Sequence, residues 1–269
     1  MLKACRLDVI AFKPGNVSLC SPGHGMQAAD FLASARIAVP WLCAEQLGIG
    51  QRMERAMVAT MAAVGCNTNL GIVVLLAPLA AASERRAPLR EALAEVLAAL
   101  TVSDAAACFA AIRAAQPAGL GTVEEGDVHA PVTHDLRAAM ALAAGRDSVA
   151  RQYGSVFNDV FEHGVPLLRE LRARWHSLAW ATTACYLDHL ARWPDSHVAR
   201  KHDSTRARAL QASAREVAKA MKACENPRSL AVRLTAFDRE LKTRGINPGT
   251  SADLTVASVA ALLLLERSS

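Results

Sequence analysis

The sequence predicts an all-α fold, a single-domain multi-helix bundle over residues 1–269 with a ligand site formed by inter-helix loops. Three observations predict it. Residues are 52% hydrophobic but only 4% aromatic, with Ala and Leu dominant, and both favour helix. β-branched and aromatic residues are too sparse for an all-β chain. Apolar residues recur at helical spacing, as in Leu89, Leu93, Val96, Leu97 and Leu100. The length is ample to bury a core.

The elements follow in order. A short helix precedes an irregular stretch to about Gly25, broken by Pro14, Gly15, Pro22 and Gly23. Helices are expected at about 26–47, interrupted near Pro40, and at about 51–64, 70–83 and 87–100. Ser103-Asp104 is read as the cap of the next, to about Ala115. Residues 116–135, QPAGLGTVEEGDVHAPVTHD, form a long Gly/Pro-rich loop, and loops of that length are often functional. Thr133 is expected to begin a helix to Ala144, Asp147 one to Glu162, and Pro166 one to about Arg192. After the polar loop RWPDSHVARKHD, helices are expected at about 204–223, 227–243 and 251–266. No repeat, linker or low-complexity tract interrupts the pattern.

Charge and cysteine content narrow the function. A net charge of +5 and a pI near 9.0 suit anionic ligands such as nucleotides. Without a Lys/Arg run interleaved with aromatics, no nucleic-acid partner is expected. The seven cysteines are scattered and never in C-x-x-C spacing, against a disulfide framework or a zinc site. The N-terminal stretch lacks a signal-peptide core. The longest apolar run, Leu70 to Ala82, is about 13 residues, too short to span a bilayer. The expectation is a soluble cytoplasmic protein with no membrane partner.

Several loops carry polar chemistry. In GCNTNLG, Asn67, Thr68 and Asn69 stand at the mouth of an apolar helix, whose N-terminal N–H groups suit an anion, and Gly71 would admit a ligand close to the backbone. The plainer reading is that an Asn caps the helix. In KPGNVS and SPGHGMQAAD, Lys13 could meet a phosphate, with Asn16 and Ser18 as hydrogen-bond partners and His24 as a proton carrier; an ordinary Pro-Gly turn explains the same residues. VEEGDV clusters Glu124, Glu125 and Asp127, which a Mg²⁺ ion or a general-base role would explain, as would a solvated loop. In RDSVARQYG, Asp147 and Arg151 are four apart, the spacing of a surface ion pair. WPDSHVARKHD offers Arg200 and Lys201 to a polyphosphate or to water. In NPGTSADL, Thr250 or Ser251 is read as a cap, and Asp253 as a first-turn acid that the helix dipole explains. Walker A, G-x-S-x-G and H-E-x-x-H patterns are absent.

Taken in order, DVIAFKPGNVS, GHGMQAADF, GCNTNLGIVVLLAPLAAA, GLGTVEEGDV, RDSVARQYG, PDSHVARK and NPGTSADL resemble the triphosphoribosyl-dephospho-CoA synthase family over almost the whole chain. Each motif is weak alone; the ordered set is specific. The chain departs from the citrate-lyase type, which resembles KPGLVD and NTHKG where this chain has KPGNVS and NTNLG, so a His-Lys pair is missing after Thr68. The wording is closer to a branch seen in archaea and methylotrophic bacteria.

The resemblance implies an all-α pentosyltransferase. Such an enzyme moves the triphosphoribosyl group of ATP onto a ribose hydroxyl of 3′-dephospho-CoA and releases adenine. Breaking a glycosidic bond builds positive charge on the sugar, which carboxylates stabilise. Glu124, Glu125 and Asp127 are the expected catalytic acids and Mg²⁺ ligands, with His24 as the acid that assists adenine. Lys13, Gly15, Asn16, Asn67, Thr68, Asn69, Gly71, Arg151, Arg200 and Lys201 are expected to hold ATP and its phosphates. Expected partners are ATP and dephospho-CoA or a related coenzyme, with a homodimer left open. The alternatives are a ribosyl or phosphoribosyl transferase acting on another coenzyme of one-carbon metabolism, and a non-catalytic nucleotide-binding helical protein.

Overall fold

A computed structural model describes residues 1–267. The described residues form fourteen α-helices and no β-strand, so the all-α expectation holds. They are α1 (Leu2–Ile10), α2 (Ala28–Leu42), α3 (Ile49–Val64), α4 (Leu70–Ser83), α5 (Leu89–Ala98), α6 (Val102–Ala115) and α7 (Leu136–Ala143). There follow α8 (Ser148–Ser155), α9 (Val165–Trp175), α10 (Leu178–Arg192), α11 (Ser196–Lys201), α12 (Ser204–Ala223), α13 (Ala231–Thr243) and α14 (Gly249–Leu265). A π-turn, Asp159–Gly164, joins α8 to α9, and a 3₁₀ turn, Pro227–Leu230, precedes α13.

Helices α4 and α14 are apolar on every side, and such a helix belongs in the interior. They pack on each other. Helices α3 and α5 cover α4, while α1, α10 and the π-turn cover α14. The Tyr153 hydroxyl donates to the Val74 carbonyl (2.8 Å), so a buried phenol does not go unpaired. The first turn of α4 meets the second turn of α14 at Gly71 and Asp253. That contact brings together the loops leading into both helices.

Some boundaries differ from the sequence expectation, each for a local reason. Thr101, not Ser103, caps α6, exchanging hydrogen bonds with Asp104. Helix α7 starts at Leu136 because Asp135 accepts from the Ala138 N–H. The helix expected over 147–162 stops at Ser155, where Val156 and Phe157 take left-handed φ values of 50° and 54°. Left-handed His176 (φ 50°) divides the helix expected over 166–192 into α9 and α10. Pro40 lies inside α2, near its end. All seven cysteines are free thiols, and among the described residues no single helix is long and apolar enough to cross a membrane.

Asp195 fixes the end of the molecule where α11 and α14 begin. Its Oδ1 accepts from the Val198 N–H (3.0 Å), and its Oδ2 from the Ser251 N–H and hydroxyl (both 2.8 Å). Asp195→Ala would strand three buried donors. It should lower stability by about 2–3 kcal/mol, measured as a shifted urea midpoint at unchanged slope; an unmoved midpoint would show that the clasp contributes nothing.

Candidate active site

The KPG turn is built around a lysine that points inward. Gly15 takes φ +82°, and its N–H donates to Asp238 Oδ1 on α13 (2.8 Å). Tyr186 on α10 donates to the Pro14 carbonyl (2.6 Å), and His24 Nε2 donates to the Gly15 carbonyl (2.8 Å). Lys13 is 0% exposed. Its ammonium is bonded to Asp8 of α1 and to Asn16 Oδ1 (2.7 Å), and it lies 6.0 Å from the centre of the Tyr186 ring. A buried ammonium requires such a partner. The Asn16 amide then donates to Asn247 Oδ1 (2.8 Å), in the loop before α14.

At the mouth of α4 the work is divided. Asn67 Oδ1 accepts from the Leu70 N–H (3.1 Å) and so does the capping. Thr68 donates to Ser34 on α2 (2.6 Å). Asn69 does neither: its side-chain oxygen is buried and unpartnered. With Asp8 and Cys5 it lines a cavity of about 10 Å³ between α1, α2 and α4, the size of one water. A Cβ on Gly71 would lie 2.1 Å from Asp253 Oδ2, so only glycine fits there.

Asp253 is the functional candidate that sequence reasoning passed over. Helix α14 begins at Gly249, with Pro248 before it. Asp253 therefore sits past the first turn, where the dipole no longer accounts for it. Thr250 and Ser251 do not cap; they bond Ser196 and Asp195. The half-buried Asp253 carboxyl makes no hydrogen bond or ion pair. Burial first, then the charges of Asp8 and Asp195, hold its pKa well above the usual carboxylate range, with Lys13 opposing and Asp147 adding. A glycine in the first turn of α4, where helix propensity disfavours it, was the one sequence signal of this close approach.

The other expected residues fall into two groups. Arg200 pairs with Asp147 (3.1 Å) and donates to the Ala118 carbonyl (3.3 Å), tying the long loop to the start of α8. Asp147 therefore pairs with Arg200, not with Arg151. Arg151 is held by Asp159 (2.7 Å) and stacks 4.2 Å from the centre of the Trp193 ring. Lys201 is exposed and makes no ion pair; burial first, then the charges of Arg200 and Lys201, hold the His197 pKa down to about 4. Burial also lowers the pKa of His24, which braces the turn through the Gly15 carbonyl.

The acidic loop lies apart from this group in every contact it makes. Asp127 accepts from the Val123 and His129 N–H groups, and these bonds lower its pKa. Glu125 meets only His134 (3.4 Å), and Glu124 has no partner. Gly126 packs on Leu142, and Arg113 donates to the Val128 carbonyl. Among the described residues no three His, Cys, Asp or Glu side chains are grouped to hold a metal.

A raised pKa in the folded state has a stability consequence. The unfolded chain releases the Asp253 proton near pH 3.9, the folded protein only at higher pH, so this acid costs stability increasingly as pH rises above about 4. Asp253→Asn, neutral throughout, should melt above the wild type at pH 8, with the gap closing towards pH 4 in calorimetry. A gap independent of pH would contradict this placement.

The family model described as ATP:dephospho-CoA triphosphoribosyl transferase (CitG) matches residues 1–269. No curated protein matches the chain. Among solved structures, a crystal structure from Archaeoglobus fulgidus, provisionally titled a triphosphoribosyl-dephospho-CoA synthase, is 25% identical with a TM-score of 0.68. The match covers 86% of this chain and 97% of that one. With the whole chain matched and the fold shared, this protein belongs to the ATP:dephospho-CoA triphosphoribosyl transferase family and is a transferase enzyme that uses ATP.

Proposed function

We propose that transfer takes place at the Asp8–Lys13–Asp253 junction, with Asp253 as the proton carrier and Asp8 as the fixed negative charge. The observation that carries this reading is the Asp253 carboxyl, which lacks a partner yet lies in the field of an ion-paired carboxylate. Two acids in unlike environments can take unlike roles.

In the first half of the reaction the bond from C1′ of the ATP ribose to adenine lengthens, and its electron pair goes to adenine. Asp253 gives adenine its proton. Positive charge grows on the ribose, and the field of Asp8, buried and held in place by Lys13, favours it. In the second half the acceptor hydroxyl of dephospho-CoA bonds to C1′ and passes its proton to the Asp253 carboxylate. The acid is thus restored, and the net proton movement is from acceptor to adenine. Mg²⁺ enters with ATP as part of the substrate, held by its phosphates. The free ammonium of Lys201 and the N-terminal turn of α4 suit the triphosphate. Lys13, closed off from water, acts through Asp8. Glu124 and Glu125, on the outer loop, are given no proton to move.

Asp253→Asn should lower the rate of adenine release by about 10²–10⁴-fold, while ATP affinity by calorimetry stays within a few-fold. Glu125→Gln should stay close to wild type in the same chromatographic assay with ATP and dephospho-CoA. The reverse pattern would move catalysis to the acidic loop. Adenine release that never exceeds background, despite ATP binding, would favour a non-catalytic binder.

Gly71→Ala tests the close approach from the other side. The added methyl must displace Asp253, so turnover should fall by at least about 10²-fold, as for ångström-scale misplacement of a reacting group. Gly145→Ala, where a methyl meets open space, is the control and should leave adenine release unchanged.

A further inference from the structure

A second polar hollow lies beyond the KPG turn. It has a volume of about 240 Å³ and is lined by Arg206, Arg244 and Ile246. Arg206 stands in the first turn of α12 and Arg244 just past the end of α13. Each guanidinium is oriented by a neighbour that occupies only part of it. His202 Nε2 donates to the Gly245 carbonyl (3.3 Å), which leaves His202 Nδ1 to accept from Arg206 (3.1 Å). Asp203 lies 3.6 Å from Arg206 Nε, and Glu240 accepts from Arg244 (2.9 Å). The remaining donors of two planar forks are free for a ligand in a space that admits several waters. Nothing assigned so far uses them.

The hollow is joined to the reaction centre by one short stretch of chain. Ile246 is followed by Asn247, whose side chain accepts from Asn16, which in turn accepts from Lys13. Pro248 then packs against Gly15, and α14 leads on to Asp253.

We infer that the Arg206–Arg244 hollow binds the diphosphate of the acceptor, dephospho-CoA. This rests on the transferase reading above. Paired guanidiniums recognise phosphate oxygens bidentately, and two of them match the two charges of a diphosphate. The triphosphate of the donor is assigned above to Lys201 and the α4 turn. Ile246 gives apolar surface beside the charges, as a pantetheine arm leaving the diphosphate needs, and the open side lets that arm run outward.

Both substrates carry linked phosphates, so the test separates them. Titration calorimetry compares wild type with the Arg206→Ala/Arg244→Ala double variant, using dephospho-CoA, ATP and inorganic pyrophosphate in turn. Both arginines are largely exposed, and Arg206→Lys/Arg244→Lys keeps the charge but removes the fork. The alanine variant should bind dephospho-CoA at least about tenfold more weakly, equivalent to about 1.4 kcal/mol, and ATP within about twofold. The lysine variant should fall between, and pyrophosphate should follow dephospho-CoA. Weakening of ATP alone would give the hollow to the donor. Equal weakening of both would reduce it to a general field. No change, or no binding of dephospho-CoA by wild type, would also overturn the assignment. None of these measurements needs turnover, so a failure of catalysis at Asp253 would show separately, as absent adenine release by a protein that still binds its acceptor through the arginines.

Discussion

A lysine with no access to water must carry its counter-charge with it, and the Lys13–Asp8 pair is the constraint from which the site is assembled. Removing one member of such a buried pair typically costs about 3–5 kcal/mol, because the other is left charged in an apolar interior. The pair therefore fixes the KPG turn against α1. The same turn is held by Tyr186 from α10, by Asp238 from α13 and by Asn247 from the loop before α14. Three distant parts of the chain and the neighbouring α1 are thus tied to six residues of loop, and a loop so tied is a scaffold.

The cost of that arrangement falls on Asp253. Its carboxyl is pressed against the backbone of α4 with no protein partner, and the nearby charge of Asp8 opposes its ionisation. In a stability account this is a defect. For a transferase that must give a proton to a leaving base and take one from an attacking hydroxyl, it is the property required. Gly71 makes room for it. The left-handed pair at Val156 and Phe157 turns Asp159 back onto Arg151 and Gln152, and Arg151 is braced against Trp193.

Much of this was legible in the sequence, and what was not has physical reasons. The bounds of α4, Leu70–Ser83, could be read directly because polar loop gives way abruptly to apolar helix. The motif order was enough to give the family. Capping was legible in kind, since an Asn does cap α4, but two asparagines at that mouth divide the roles and only the contact with Leu70 shows which. Asp253 was masked by a wrong helix start: with α14 taken from Ser251 it is a first-turn acid, and with Gly249 it is not. The partner that gives it meaning, Gly71, lies in another helix, and no local pattern links the two. In the acidic loop Asp127 is bonded within its own turn, while Glu124 and Glu125 are exposed, and their composition alone carries no information on what they face. Lys13 read as a phosphate ligand because Pro-Gly turns are usually exposed, whereas this turn is buried from every side.

The claim at the centre of this account is that Asp253 works as an acid because its surroundings keep it protonated. The pH dependence of adenine release under saturating ATP and dephospho-CoA tests it most directly. The account predicts a rate that falls on the alkaline side, through a pKa well above the ordinary carboxylate range, and a limb that moves to lower pH in Asp8→Asn, where the opposing charge is gone. A limb that does not move in Asp8→Asn, in a variant whose fold is intact by circular dichroism, would contradict it.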